Sequence, residues 1–142
     1  MVFDILRNNL DKLYLEEVDN DLISIDSSYF DELGGADILE DEALEYSEKE
    51  RDFNIKVQEA FLVDGISSRR AYKVWDSYPN TNYHCISLMH LINRSKSVIL
   101  NVYMRSSNMK CFKSDLGFLC RISKKYNVTT LKIFIGSFHL EL

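Results

Sequence analysis

The stretch from residue 85 to residue 104 constrains the fold more than any other. It holds two apolar runs, Cys85 to Ile92 and Val98 to Met104, parted by the polar residues Asn93-Arg94-Ser95-Lys96. Runs of this length are short for a globular helix, and their Ile and Val content suits a pleated surface; the brief polar break between them turns the chain back, so the segment reads as a β-hairpin. A third strand fits Ala71 to Trp75 and a buried fourth fits Thr129 to Phe138. Between them Lys113 to Tyr126 has helical spacing, with Leu116, Leu119, Cys120 and Ile122 inward. Phe112, Phe118 and Phe134 read as core.

The first half is patterned for helices. Phe3, Leu6, Leu10, Leu13 and Tyr14 share one stripe of a helix over Phe3 to Glu17, and a short strand follows near Leu22 to Ile25. After the Gly34-Gly35 break an acidic helix is expected from about Ala36 to Glu50, and Phe53, Val57, Ala60 and Phe61 keep a helical period up to Gly65. This order of helices and strands predicts an α+β fold, with helices covering one side of a mixed sheet. A chain of 142 residues can bury one core, so a single domain over residues 1–142 is expected.

Charge is divided unevenly. Residues 1–66 carry nineteen Asp or Glu against five Lys or Arg, and residues 67–142 carry three against twelve, so a low overall isoelectric point conceals a basic half. The acidic half is a solvated helix face or a face for a basic partner; the basic half suits an anion. Three cysteines, no secretory signal and no long apolar run point to the cytoplasm, with no disulfide framework and no membrane span. His84, His90 and His139 do not stand at zinc-ligand spacings from the cysteines, and no metal is expected.

Within the basic half lie Ser68-Arg69-Arg70, then Cys85, then Arg105-Ser106, then Gly136-Ser137-Phe138-His139. Guanidinium forks donate planar, charge-assisted hydrogen bonds that match a phosphate, and a neighbouring hydroxyl adds another. A thiol among cations has a lowered pKa and more thiolate. Each residue also has a plainer reading. Cys85 suits an apolar strand as a small hydrophobe, the arginines suit the surface, and Asp115 suits a helix cap.

These residues resemble the thymidylate synthase family, most closely its bacteriophage dCMP hydroxymethylase branch. In that family the catalytic cysteine stands twenty residues before an Arg-Ser pair, as Cys85 stands before Arg105, with strand, turn and strand between. Its Ser-Arg-Arg followed by a strand ending in Trp is similar to Ser68 through Trp75, and its Gly-Ser/Asp-x-His strand to Gly136-Ser137-Phe138-His139. The resemblance covers roughly residues 52 to 142; residues 1–51 are divergent. It implies a nucleotide phosphate held by Arg69, Arg70, Arg105 and Ser106, a sugar near His139 and a base over the Cys85 nucleophile. In the family the Arg-Arg pair reaches the neighbouring subunit's phosphate, so a sheet-to-sheet homodimer is implied. Phe112-Lys113-Ser114-Asp115 resembles the hydroxymethylase Phe-Arg-Asn-Asp when one residue of the preceding loop is deleted, and Asp115 then complements cytosine.

The departures fall on the chemistry. The family carries, between its first helix and the Arg-Arg pair, a segment with the general-base glutamate and part of the folate site; here Glu45-Tyr46 leads directly into the helix before Ser68. The family's closing tail is expected to be missing after Leu142. Ile86 replaces the histidine after the cysteine, Asn108 the aspartate after Arg-Ser, and Glu141 the sugar-binding tyrosine. One expectation is therefore a degenerate relative that binds dCMP or dUMP, or a protein partner of host or phage, in a regulatory or inhibitory role without cofactor. A second is an active dCMP/dUMP C5 (hydroxy)methyltransferase using Cys85 and 5,10-methylenetetrahydrofolate. A third is an acidic nucleic-acid mimic or host-protein inhibitor. Under a phage reading the location is the host cytoplasm.

Overall fold

The computed structural model describes residues 18–34, 40–64, 70–75, 86–94, 96–104 and 107–139. The helix expected over residues 3–17 lies outside them. In chain order the elements are β1 (Val18–Asp26), a 3-10 turn (Ser27–Tyr29), α1 (Phe30–Gly34), α2 (Glu40–Asp64), β2 (Tyr72–Val74), β3 (Ile86–Arg94), β4 (Ser97–Met104), β5 (Ser107–Asn108), α3 (Met109–Lys125) and β6 (Thr130–His139). The strands form one sheet in the order β1-β6-β4-β3-β2, with β5 also beside β6. β4 and β6 run parallel and the other long pairs antiparallel, so the fold is α+β with a mixed sheet.

The hairpin forms where the sequence places it. Arg94 faces Ser97 across the turn, and pairing runs back to Ile86 opposite Met104 with a bulge between Ile86 and Leu88. Parallel strands need a crossover, and α3 supplies it between β4 and β6. Its end is set chemically. Lys124 and Lys125 stand in the last turn, where cations complement the helix dipole. Asn127 adopts a left-handed φ of 55°, Val128 N–H donates to Ser123 O at 2.9 Å and Asn127 N–H to Lys124 O at 3.2 Å, the bond pattern of a Schellman cap. Thr129 then fixes the start of β6: its N–H donates to Val98 O at 2.7 Å, and its hydroxyl accepts from Val98 N–H at 3.1 Å.

Alternation along the strands gives the sheet two unlike faces. On the inner face the registered row Ile25, Leu131, Leu100 and Leu91 is buried, as are Ile23, Ile133, Val102 and Met89 beside it. These residues join Tyr46, Phe53, Val57 and Ala60 of α2 and Phe112, Leu116, Leu119 and Ile122 of α3 in one core cluster. On the outer face the row Leu22, Phe134, Tyr103, Leu88 and Val74 crosses five strands without a charged side chain, and Leu22, Tyr103 and Val74 are exposed.

Several elements differ from the sequence expectation. β1 runs from residue 18 to residue 26 because its whole length pairs with β6. The acidic helix and the period that follows it are one 25-residue helix, α2. Phe61 is exposed, since it lies a helical step of about 100° beyond Ala60 and off the buried stripe. Phe134 is not core; it sits on the outer face, stacked on Tyr103.

Candidate functional site

The chemistry-bearing segments meet at one end of the sheet. β3 begins at Ile86, opposite the last residue of β4, Met104, which in turn pairs with Ile135 of β6. Beyond residues 105–106 the same register resumes, with Ser107 opposite Phe138 and Asn108 opposite His139. Cys85, Arg105 and Ser106 lie outside the described residues; in sequence they directly adjoin Ile86 and Met104. The His139 backbone closes β6 at this same end. Carboxyl ends of parallel strands are where open α/β sheets place ligands, and β4 and β6 both end here.

Asp115 stands in the second turn of α3 and is 3% exposed. The helix opens six residues earlier at Met109, so Asp115 is not a cap. Tyr46 of α2 donates its phenol proton to Asp115 Oδ1 at 2.6 Å, and its ring lies on Phe118 with centroids 4.6 Å apart. A buried carboxylate needs a partner, and this donor comes from a residue sixty-nine positions away in the chain. The contact ties α2 to one turn of α3.

One turn further along α2, Lys49 donates to the carbonyl of Ile86 at 3.3 Å and lies 4.4 Å from the centre of the Trp75 ring. Trp75 follows β2 directly, and its indole N–H donates to Asp52 Oδ2 at 3.3 Å. An ammonium group is thus fixed at the carbonyl of Ile86, the residue that follows Cys85 in the sequence. Tyr46, Lys49 and Asp52 were not singled out by the sequence. Their signal is the i, i+3, i+6 spacing, which places them along one edge of α2 beside the Phe53, Val57 and Ala60 stripe, but they sit within a run of acids that reads as solvated.

Arg70 lies at the other end of the sheet. β2 runs antiparallel to β3 with Tyr72 opposite His90, so exposed Arg70 precedes β2 level with Ile92. Counted along β3 this is about six residues, roughly 20 Å, from Ile86 at the usual strand rise. Arg69 lies outside the described residues. Within one chain the structure does not bring Arg70 to the end where β4 and β6 terminate.

Cys120 packs in the core, as the sequence suggested, and burial pushes its thiol up to about 12, with Arg121 opposing weakly. Among the described residues no three His, Cys, Asp or Glu side chains gather into a metal-binding group, and no helix is long and apolar enough to cross a membrane.

No protein-family model matches this chain, and no curated protein matches it. The resemblance to the thymidylate synthase family rests on the four spaced motifs.

Proposed function

We propose that this chain is a shortened thymidylate-synthase-like protein that binds a pyrimidine deoxynucleoside monophosphate, dCMP or dUMP, as a two-fold dimer, and serves a regulatory or inhibitory role. The observation that carries the reading is the meeting of four segments at one end of the sheet: the start of β3 after Cys85, the end of β4 before Arg105-Ser106, the β5–β6 pair ending at His139, and the α3 turn with buried Asp115. In this reading Arg105 and Ser106 take the phosphate, His139 the sugar and Asp115 the base.

Two features support the dimer. Arg70 is about 20 Å from the site in its own chain by strand rise, so only a second copy can bring the Arg69-Arg70 pair to the phosphate. The uncovered apolar row on the outer face supplies a surface for that copy, of the kind that marks interaction sites.

The same reading excludes group transfer by this chain. α2 runs unbroken from Glu40 to Asp64, through the stretch where the family carries its general-base glutamate and part of its folate site. Proton transfer alone typically contributes 10²–10⁴-fold to such reactions.

Calorimetry with dCMP, dUMP and inorganic phosphate tests the binding. Arg105→Ala is expected to weaken dCMP binding about ten- to a hundred-fold, the worth of a charge-assisted hydrogen bond. Unchanged binding in that variant would remove the pocket from Arg105. Tritium release from C5-labelled nucleotide with methylenetetrahydrofolate is expected at background; release abolished by Cys85→Ala would make the chain an active C5 transferase instead.

A further inference from the structure

We propose that the solvent side of α2 is a docking ridge for one helix of another protein: a basic amphipathic helix that lays its apolar stripe along Leu44, Ile55 and Leu62 and its Lys or Arg residues against the acidic row Glu45, Asp52 and Glu59. The inference goes beyond the nucleotide reading and does not depend on it. It gives a use to Leu62 and Leu44, the two most exposed large apolar side chains among the described residues.

The ridge follows from helix periodicity. Leu44 and Leu62 stand about five turns apart at 3.6 residues per turn, so they point the same way, and Ile55 lies within about 20° of the line between them. Leu44, Ile55 and Leu62 are 69%, 48% and 88% exposed. On the opposite side of the same helix Tyr46, Phe53, Val57 and Ala60 are buried in the core. α2 is thus apolar on two sides and covered on one. Exposed apolar residues scattered singly are ordinary, but three in one row over roughly 27 Å make a stripe of the kind that a second helix covers.

The flanks select the partner by charge. With Glu48 at heptad position a, the seam positions a and d fall on Leu44, Glu48, Arg51, Ile55, Gln58 and Leu62. The e positions are then Glu45, Asp52 and Glu59, all acidic, and the g positions are Ser47, Asn54 and Phe61, all uncharged. Residues at e and g lie beside a partner helix and set its identity. Asp52 accepts from the Trp75 indole through Oδ2, which holds its carboxylate at the border of the ridge. Lys56 lies 3.9 Å from Glu59 in an exposed pair, a contact weak enough to yield to a closer cation. Two copies of α2 packed antiparallel about a two-fold axis would set e against e, acid against acid; packed parallel, they would set e against the uncharged g row. Neither places a cation opposite the acids. Residues 1–17 of this chain carry four Asp or Glu against two Lys or Arg, and they join the sheet at β1, the edge opposite β2, beside which α2 lies. A foreign helix with Lys or Arg on its facing flank supplies both the apolar cover and the charge match. The polar seam residues Glu48, Arg51 and Gln58 lower the stability of such a pair and fix its register. The ridge points away from the sheet, so a dimer through the outer sheet face leaves it uncovered.

The probe is a synthetic three-heptad peptide with Ile at a, Leu at d and Lys at e and g, used at concentrations where sedimentation shows it to be monomeric. By fluorescence anisotropy it is expected to bind the full chain, one peptide per chain, at least about ten-fold more tightly than a scrambled peptide of the same composition or a peptide with Glu at e and g. Leu44→Ser and Leu62→Ser should each weaken binding about ten-fold, the scale of burying one leucine. Both side chains are exposed, so the fold is kept, and circular dichroism checks it. Glu59→Lys should weaken the Lys peptide about three-fold, the scale of one exposed ion pair, and tighten the Glu peptide. Equal binding of the scrambled peptide would reduce the effect to the net charge of the acidic half. Unchanged affinity in both serine variants would take the ridge out of it, and wild-type self-association lost in Leu62→Ser would make a second copy the occupant. Each of these outcomes overturns the inference, as does a wild-type chain that does not bind the Lys peptide, and none of them bears on nucleotide binding.

Discussion

Tyr103 and Phe134 stack on the sheet face away from the helices, with ring centroids 4.8 Å apart and planes 10° from parallel. They pair across the parallel strands β4 and β6, in the centre of the apolar row that begins at Leu22 and ends at Val74. Tyr103 is 41% exposed, and Leu22 and Val74 are exposed further still. Sedimentation is expected to give a dimer for the wild-type chain. Tyr103→Glu places a carboxylate in the middle of that surface and should weaken self-association by about a hundred-fold or more, since an unpaired charge in an interface is costly. A Tyr103→Glu protein that remains dimeric at low micromolar concentration would move the interface elsewhere.

The separation of Arg70 from the ends of β4 and β6 leads to a mixing experiment. Arg70→Ala and Arg105→Ala are each expected to weaken dCMP binding about ten- to a hundred-fold. If Arg70 acts on the neighbouring subunit, equimolar mixing under conditions that exchange subunits regenerates one site of full affinity in each mixed dimer, because one site then receives Arg70 and Arg105 from the two intact sides. Titration of the mixture should show a tight class of sites absent from either variant alone. Failure to recover any tight site would place both arginines on the same subunit's ligand or on none.

Much of the fold is legible in the sequence where local pattern and tertiary demand agree. The Ile86–Met104 hairpin is carried by two apolar runs and a polar turn, and α3 by a 3.6-residue period, so both were readable; α3 merely begins earlier, at Met109. β1 was foreseen only in part, because its ends are ordered by pairing with β6, a contact over a hundred residues away that no local window contains. Phe134 was misplaced for a similar reason: a strand with apolar side chains on both faces does not reveal which face meets the helices. The bond between Tyr46 and Asp115 was not legible. A tyrosine inside an acidic helix has no motif, and its role exists only once α2 and α3 are packed.

Cys120 should be chemically silent in the folded protein. It is fully buried on α3, and desolvation raises its thiol from 9.0 to about 12, so almost no thiolate forms at neutral or mildly alkaline pH. Iodoacetamide at pH 8 is expected to leave Cys120 unmodified in native protein and to alkylate it fully in denaturant, as read by mass spectrometry of the peptide that contains it. Rapid labelling under native conditions would show that α3 opens readily from the sheet.

Loss of stability at high pH should trace in part to Tyr126. Its ring meets Phe53 edge-on with centroids 5.8 Å apart, and its hydroxyl donates to Asn54 Oδ1. Burial, reinforced by repulsion from Glu50, raises its ionisation from 10.0 to about 12. The folded state therefore holds the phenol proton where the unfolded chain releases it, and linkage makes the sign definite: the contribution is whole below about pH 10 and is lost as pH rises towards 12. Cys120 acts in the same direction over the window from 9 to about 12. Urea unfolding at successive pH values is expected to show stability constant to about pH 9 and falling steeply above pH 10, and tyrosinate absorbance should show one of the eight tyrosines ionising later than the rest. Tyr126→Phe should lower stability at pH 8, through the lost bond to Asn54, while making the decline above pH 10 shallower. A decline of unchanged slope in that variant would assign the alkaline transition to other groups.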